Sequence, residues 1–283
     1  MLLNLSGKID PQTIEVLSII SHEAASLKIP FFVIGAFARD LILEYYHKIE
    51  PTRKTIDLDL GIKVAVWEDF ERLIERLSRG SKFSPDPERN SQRIYLGDFP
   101  VDIVPFGDVS DDQQNIFWPP DNAVKMSVAG FQEVYENSIS VKLSENPELV
   151  IKIPTLPGLA ILKIISWNEK YPERNKDALD LLFIMKNYQD TGIDDRLYQE
   201  ESMLKEEAFD FQNASIRLLG KDMAMLVTGD TYRIVKDILE NETRSDNENR
   251  LANSMIATRF DYDKQLESIM QKLSKLNQGF NEK

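Results

Sequence analysis

Residues 55–62 read TIDLDLGI. Ile56, Leu58, Leu60 and Ile62 alternate with Asp57 and Asp59, so an extended chain sends the apolar side chains to one face of a sheet and both aspartates to the other. Two carboxylates then share a face, and their repulsion must be offset by a cation, hydrogen bonds or solvent. A divalent metal does this directly. A plainer reading of the same segment puts the pair on the solvent side of an edge strand.

The flanking segments add to this pair. Downstream, PVDIVPFG (100–107) sets Asp102 between Val101 and Ile103. A single carboxylate in an apolar strand is expensive to bury alone, unless it begins a turn. If that strand lies beside the one carrying Asp57 and Asp59, the three aspartates can ligate two metal ions, one activating an attacking hydroxyl and one steadying a triphosphate. Upstream, PFFVIGAFARDLILEYY (30–46) reads as an apolar strand followed by Gly35-Ala36 opening a helix, with Leu41, Ile42 and Tyr45 on one side. Small residues at such a junction let phosphate oxygens approach free backbone N–H groups at the positive helix end, and Arg39 adds a cation one turn on. A glycine there also serves simply to make the turn. Asp40 caps, pairs with Arg39 or Arg53, or has no special part.

Composition narrows the chemistry further. The 283 residues are 42% hydrophobic and 29% charged, enough to build a packed core and unlike a disordered chain. There is no cysteine and only His22 and His47, so disulfides, thiolate zinc, iron–sulfur clusters and thiol nucleophiles are excluded. A metal would be held by oxygen and would be a hard cation, Mg2+ or Mn2+. The net charge of -13 argues against a broad surface for nonspecific nucleic-acid binding. The start, MLLNLSGKID, lacks the pattern of a signal peptide, and no segment has the roughly 18 apolar residues of a membrane span. The expected location is the cytoplasm, with no membrane partner.

Short apolar runs and helical patterns alternate over the first part of the chain, indicating an α/β or α+β domain. In WEDFERLIERL (67–77), Trp67, Phe70, Leu73, Ile74 and Leu77 follow helical spacing and form a core-facing stripe. SDDQQNIFWPPDNAV (110–124) reads as a looser stretch, while VYENSISVKL (134–143) and ELVIKIPTLPG (148–158) read as extended. From Leu159 the pattern is helical. The run 240–250, ENETRSDNENR, reads as a loop or solvated helix end. Pro154 and Pro157 mark a boundary near Thr155, giving expected domains 1–154 and 155–283.

Gly35-Ala36-Phe-Ala-Arg39-Asp40, Thr55-Ile-Asp57-Leu-Asp59 and Val101-Asp102-Ile-Val-Pro-Phe-Gly107 together resemble the nucleotidyltransferase superfamily that includes DNA polymerase beta. More closely, the chain resembles the AbiEii/AbiGii-type nucleotidyltransferase toxins of bacterial abortive-infection and toxin–antitoxin systems. Residues 156–188 extend the resemblance, with Lys163 on one helix and Lys176-Asp177 opening the next, and Asp180 one turn on. The resemblance implies an α+β fold: a nucleotidyltransferase domain with a mixed sheet flanked by helices, then a mainly helical C-terminal domain. It implies Asp57, Asp59 and Asp102 as metal ligands, Gly35, Ala36, Arg39 and Lys163 at the nucleotide, and Asp177 orienting the triphosphate or the acceptor. A Lys163–Asp177 salt bridge explains the same two residues structurally. Gly35-Ala36 departs from the Gly-Gly or Gly-Ser usual in the first motif, so a serine hydroxyl contact to phosphate is missing.

The expected reaction moves NMP from an NTP to an acceptor hydroxyl on tRNA or protein, with a cognate antitoxin as partner. A small-molecule, antibiotic-type nucleotidyltransferase, a metal-dependent nuclease using the same carboxylates, and a catalytically decayed partner-binding protein are the alternatives.

Overall fold

The structure, a computed structural model, describes all residues except 1, 52, 54, 56, 81–82, 87–91, 245, 247 and 257–259. Ile56, one of the four alternating apolar positions, thus lies outside the described residues. The chain divides into two compact units, Met1–Thr155 and Leu156–Lys283.

The first unit begins with β1 (Leu2–Asn4), α1 (Pro11–Ser26), β2 (Phe31–Ile34) and α2 (Gly35–Asp40). The start of α1 is fixed by Asp10, whose carboxylate accepts from the Thr13 N–H at 2.9 Å, and by Pro11 in its first turn. α2 runs on into a π-helical turn over Leu41–Tyr46. There follow β3 (Leu58–Lys63), α3 (Trp67–Gly80), β4 (Phe83–Pro85), β5 (Arg93–Leu96) and β6 (Phe99–Phe106). The unit closes with β7 (Asn115–Trp118), β8 (Val124–Ser127), α4 (Phe131–Glu136), β9 (Ile139–Glu145) and β10 (Glu148–Ile153).

Five strands make a mixed sheet in the order β2-β3-β6-β5-β4, in which β3 and β6 are parallel and the other pairs antiparallel. β1, β9 and β10 form a second sheet, and β7 pairs with β8. β3 is therefore an interior strand, which removes the edge-strand reading for Asp59, and Asp102 lies within the eight-residue β6 rather than at a turn. Leu58, Leu60 and Ile62 are at most 1% exposed. The opposite face is not simply solvent. Phe32, Phe106, Phe131 and Tyr135 pack there with edge-to-face and tilted ring contacts, Phe32 and Phe106 having ring centroids 5.4 Å apart. Gly61 makes room for this cluster, since a Cβ there would meet the Phe32 ring at 2.3 Å. The aspartates occupy the end of the strand that the aromatic cluster leaves free.

The expected stripe on α3 is present: Phe70, Leu73, Ile74 and Leu77 are all buried, each worth about 1.5–3 kcal/mol. Trp67 stacks its edge on Phe70 and Trp118. Three local readings are corrected: Leu156–Gly158, read as extended, already open the helix Leu156–Glu169. Residues 134–136 end α4 and only Ile139 onward is strand. The stretch 110–124 also holds β7 and part of β8, where Ile116 and Trp118 are buried despite the polar residues around them.

In the second unit the described elements are helical: α5 (Leu156–Glu169), α6 (Asn175–Asn187), a short 3-10 turn (Tyr188–Asp190), α7 (Asp194–Gln199), α8 (Glu201–Glu206), α9 (Phe211–Leu226), α10 (Gly229–Thr243), α11 (Arg250–Met255) and α12 (Tyr262–Phe280). α9 and α12 pack backbone to backbone where Gly220 faces Leu276 and Gly279 faces Arg217. Glu242, in the polar run 240–250, is 1% exposed and accepts from the Arg250 guanidinium and the Leu251 N–H.

Candidate active site

Strand register brings the aspartates together. Asp59 on β3 stands directly beside Asp102 on the parallel strand β6, and Asp102 stands opposite Arg93 on β5. On its other side Asp59 pairs with Ile34, the last residue before α2 opens at Gly35. One row across four strands therefore reads Arg93, Asp102, Asp59, Ile34, at about 4.8 Å per step. Side chains in register on neighbouring strands share a face, so the two carboxylates are immediate neighbours. Asp57 has the same parity as Asp59 and lies just before β3, half-buried.

Gly35 has φ +71°, the left-handed region where a side chain is strained. A Cβ there would fall 2.0 Å from Asp59 Oδ2. The glycine thus does more than make the turn: its missing side chain is the space that Asp59 occupies.

Arg39 is placed differently from the expected phosphate contact. It is 2% exposed, and its Nε donates to Asp40 Oδ1 at 2.7 Å. Asp40 also accepts from Thr55 Oγ1 at 3.0 Å, so the Arg39–Asp40 pair fastens the chain two residues before Asp57. Ala36 is 5% exposed and packs inward.

Arg93 is a residue the sequence reading missed. Its Nε donates to Asp102 Oδ1 at 2.6 Å and its Nη2 to Oδ2, a two-point pair with both side chains partly exposed. The bonds to Asp102 push the Arg93 pKa upward, keeping it charged at any working pH. A signal was available in the sequence. A two-residue loop, Gly97-Asp98, joins β5 to β6, and Gly97 takes φ +60°. Such a loop fixes the register of the strands it joins.

A cleft of about 560 Å³ opens beside Asp57, lined also by Asp10, Asp40, Glu44, Asp98 and Tyr45. No Lys or Arg is among the described residues that line it. Burial raises the Tyr45 pKa, and Glu44, Asp10 and Asp40 raise it further.

The donor set of Asp57, Asp59 and Asp102 is all oxygen and suits a hard divalent cation. Among the described residues, however, no group of three or more His, Asp or Glu side chains converges as it would around a metal. Asp102 is turned onto Arg93 instead.

Lys163 and Asp177 lie in the second unit. Lys163 on α5 is 9% exposed, with its ammonium 2.7 Å from Asp177 Oδ1 and 2.8 Å from Asp180 Oδ2 on α6. Ser166 Oγ donates to Asp177 Oδ2 at 3.0 Å. Burial pulls the Lys163 pKa down, but the two carboxylates outweigh it and the net direction is up. The salt-bridge geometry expected as the structural reading is thus formed, with Asp180 as a second partner.

Residues 19–275 match the family model described as nucleotidyl transferase AbiEii toxin, type IV TA system. No curated protein matches the sequence significantly. Among solved structures, the antibiotic-resistance factor ANT(2'')-Ia is 14% identical, with 71% of this chain and 98% of that chain covered at a TM-score of 0.38. The Thermotoga maritima CCA-adding enzyme complexed with tRNA is 12% identical, with 98% of this chain and 83% of that one covered at a TM-score of 0.26. Scores this low carry no inference about substrate. Among the described residues no helix is long and apolar enough to cross a membrane.

Proposed function

This chain belongs to the AbiEii nucleotidyl transferase toxin family, and on that premise we propose that it moves NMP from an NTP to an acceptor hydroxyl at a site built on Asp57, Asp59 and Asp102. The observation that carries this reading is the register of Asp59 beside Asp102, with Asp59 held in the space left by Gly35. Mg2+ or Mn2+ bound by these carboxylates would supply charge neutralisation on the triphosphate and activation of the acceptor hydroxyl. The protein's own part is positioning. Gly35 and the β3–β6 pairing set Asp59 and Asp102 side by side, and the Arg39–Asp40–Thr55 chain holds the approach to Asp57.

The acceptor proposed first is a hydroxyl on tRNA or protein, in a cytoplasmic toxin restrained by a cognate antitoxin. A second reading, a small-molecule acceptor bearing amines, is favoured by the carboxylate-lined cleft beside Asp57, which attracts cations and repels phosphates.

The test incubates the full chain with Mg2+ and α-labelled NTP in three arms: bulk tRNA, a mixture of cellular proteins, and an amine-bearing alcohol. The expected result is label on one acceptor, one pyrophosphate per label, and loss of both with Asp59→Asn. RNA shortened without pyrophosphate release identifies a nuclease instead. A biological effect that survives Asp57→Ala with Asp59→Ala identifies a decayed, partner-binding chain.

A further inference from the structure

We propose that Arg93 is a built-in counter-cation for Asp102, and that its displacement sets how tightly the site takes a divalent cation. The inference rests on Asp102 being a metal ligand, as read above.

Both oxygens of Asp102 are engaged by one guanidinium, at Nε and at Nη2. The contact is built in by register, because Arg93 stands directly opposite Asp102 on the next strand. A divalent cation binds a carboxylate oxygen at about 2.0–2.5 Å, which would set two positive groups almost in contact. Their repulsion makes the two occupants of Asp102 competitors. The pair also has a reason to exist without metal. Asp59 is the next residue in the row, and a charged Arg93 offsets the repulsion between the neighbouring carboxylates.

Competition of this kind has a simple arithmetic. If the Arg93–Asp102 pair is closed in about nine molecules of ten, the apparent metal affinity falls about tenfold below that of the open site. A purely structural pair behaves in the opposite way: removing Arg93 would loosen β5 and β6, disorder Asp102 and weaken metal binding. The sign of the effect separates the two.

The experiment titrates the full-length chain with Mn2+ in the absence of nucleotide, following free Mn2+ by electron paramagnetic resonance. Wild type, Arg93→Gln, Arg93→Lys and Asp102→Asn are compared, with thermal melting of each at zero and saturating Mn2+. The expected result is about tenfold tighter binding by Arg93→Gln, an intermediate value for Arg93→Lys, and at least tenfold weaker binding by Asp102→Asn. Mn2+ should also raise the melting temperature of Arg93→Gln more than that of wild type. If Arg93→Gln does not fold, Arg93→Lys decides alone, since its one-point contact must still bind Mn2+ more tightly than wild type. Unchanged or weaker binding by the Arg93 variants, with Asp102→Asn still impaired, overturns the counter-cation and leaves the metal site standing. Mn2+ binding indifferent to Asp102→Asn overturns both.

Discussion

Two clusters in this molecule use the same residue types and treat them in opposite ways. In the first unit, Asp59 and Asp102 are forced side by side by strand pairing, and Asp57 borders an open cleft. In the second, Lys163 is enclosed between Asp177 and Asp180, with Ser166 taking a remaining lone pair. The first cluster is built by the backbone against the preference of its charges. The second is built by the charges themselves. A buried polar group whose partners are all supplied from within its own element pair is explained by folding. Like charges held together by register call for a cation beside them, a part that Arg93 plays at Asp102 and that a bound metal ion would take over.

Four measurements test whether the two clusters differ in this way. Asp59→Asn keeps shape and removes a charge, so it should lower nucleotidyl transfer, read as pyrophosphate release, about ten thousandfold, about 5 kcal/mol of barrier, while melting curves show the fold intact. Near-normal transfer would end the three-aspartate site. Lys163→Met should take the ammonium away from two buried carboxylates and destabilise the chain by about 4 kcal/mol, read by chemical denaturation. A stable variant that instead loses NTP binding would move Lys163 from the second class to the first. Gly35→Ala inserts a methyl group where Asp59 sits and strains a positive φ, so transfer should fall about a hundredfold, near 3 kcal/mol, with a smaller loss of stability.

The smallest effect is on pH. Lys163 has a folded pKa above its unfolded value, so its contribution is complete below the unfolded pKa of about 10.4 and is lost only as pH rises beyond the folded one. His47 has the reverse sign, its pKa lowered by burial. The unfolded chain takes up its proton first, so stability falls as pH drops from about 6.5. Partial exposure limits this to roughly a few tenths of a kcal/mol. Melting temperatures should thus be flat between pH 7 and 9 as far as these two groups are concerned, with a shallow acid-side decline that His47→Gln removes.

Local pattern made much of this legible. The alternation in 55–62 placed the apolar set of β3 correctly because a strand's period is two whatever surrounds it. The stripe in 67–77 gave α3 for the equivalent reason at period 3.6. Patterns failed where a short segment's state depends on distant partners. Residues 110–124 hold paired strands although their own composition reads as loop, and residues 134–136 close a helix although they read as extended. The charge of Arg39 is visible in sequence, whereas its burial and its pairing with Asp40 are not.

The absence of cysteine, the parity that gives Asp57 and Asp59 a common face, and the family, whose model spans residues 19–275, can all be read along one chain. Which carboxylates are neighbours, and which cations answer them, emerges only from the folded arrangement. Parity is a property of one strand, whereas register belongs to the pair. Asp59 meets Asp102, Arg93 closes on Asp102, and Gly35 yields its side-chain space to Asp59 because separate segments were brought to a fixed offset, and that offset is written in no single stretch of the chain.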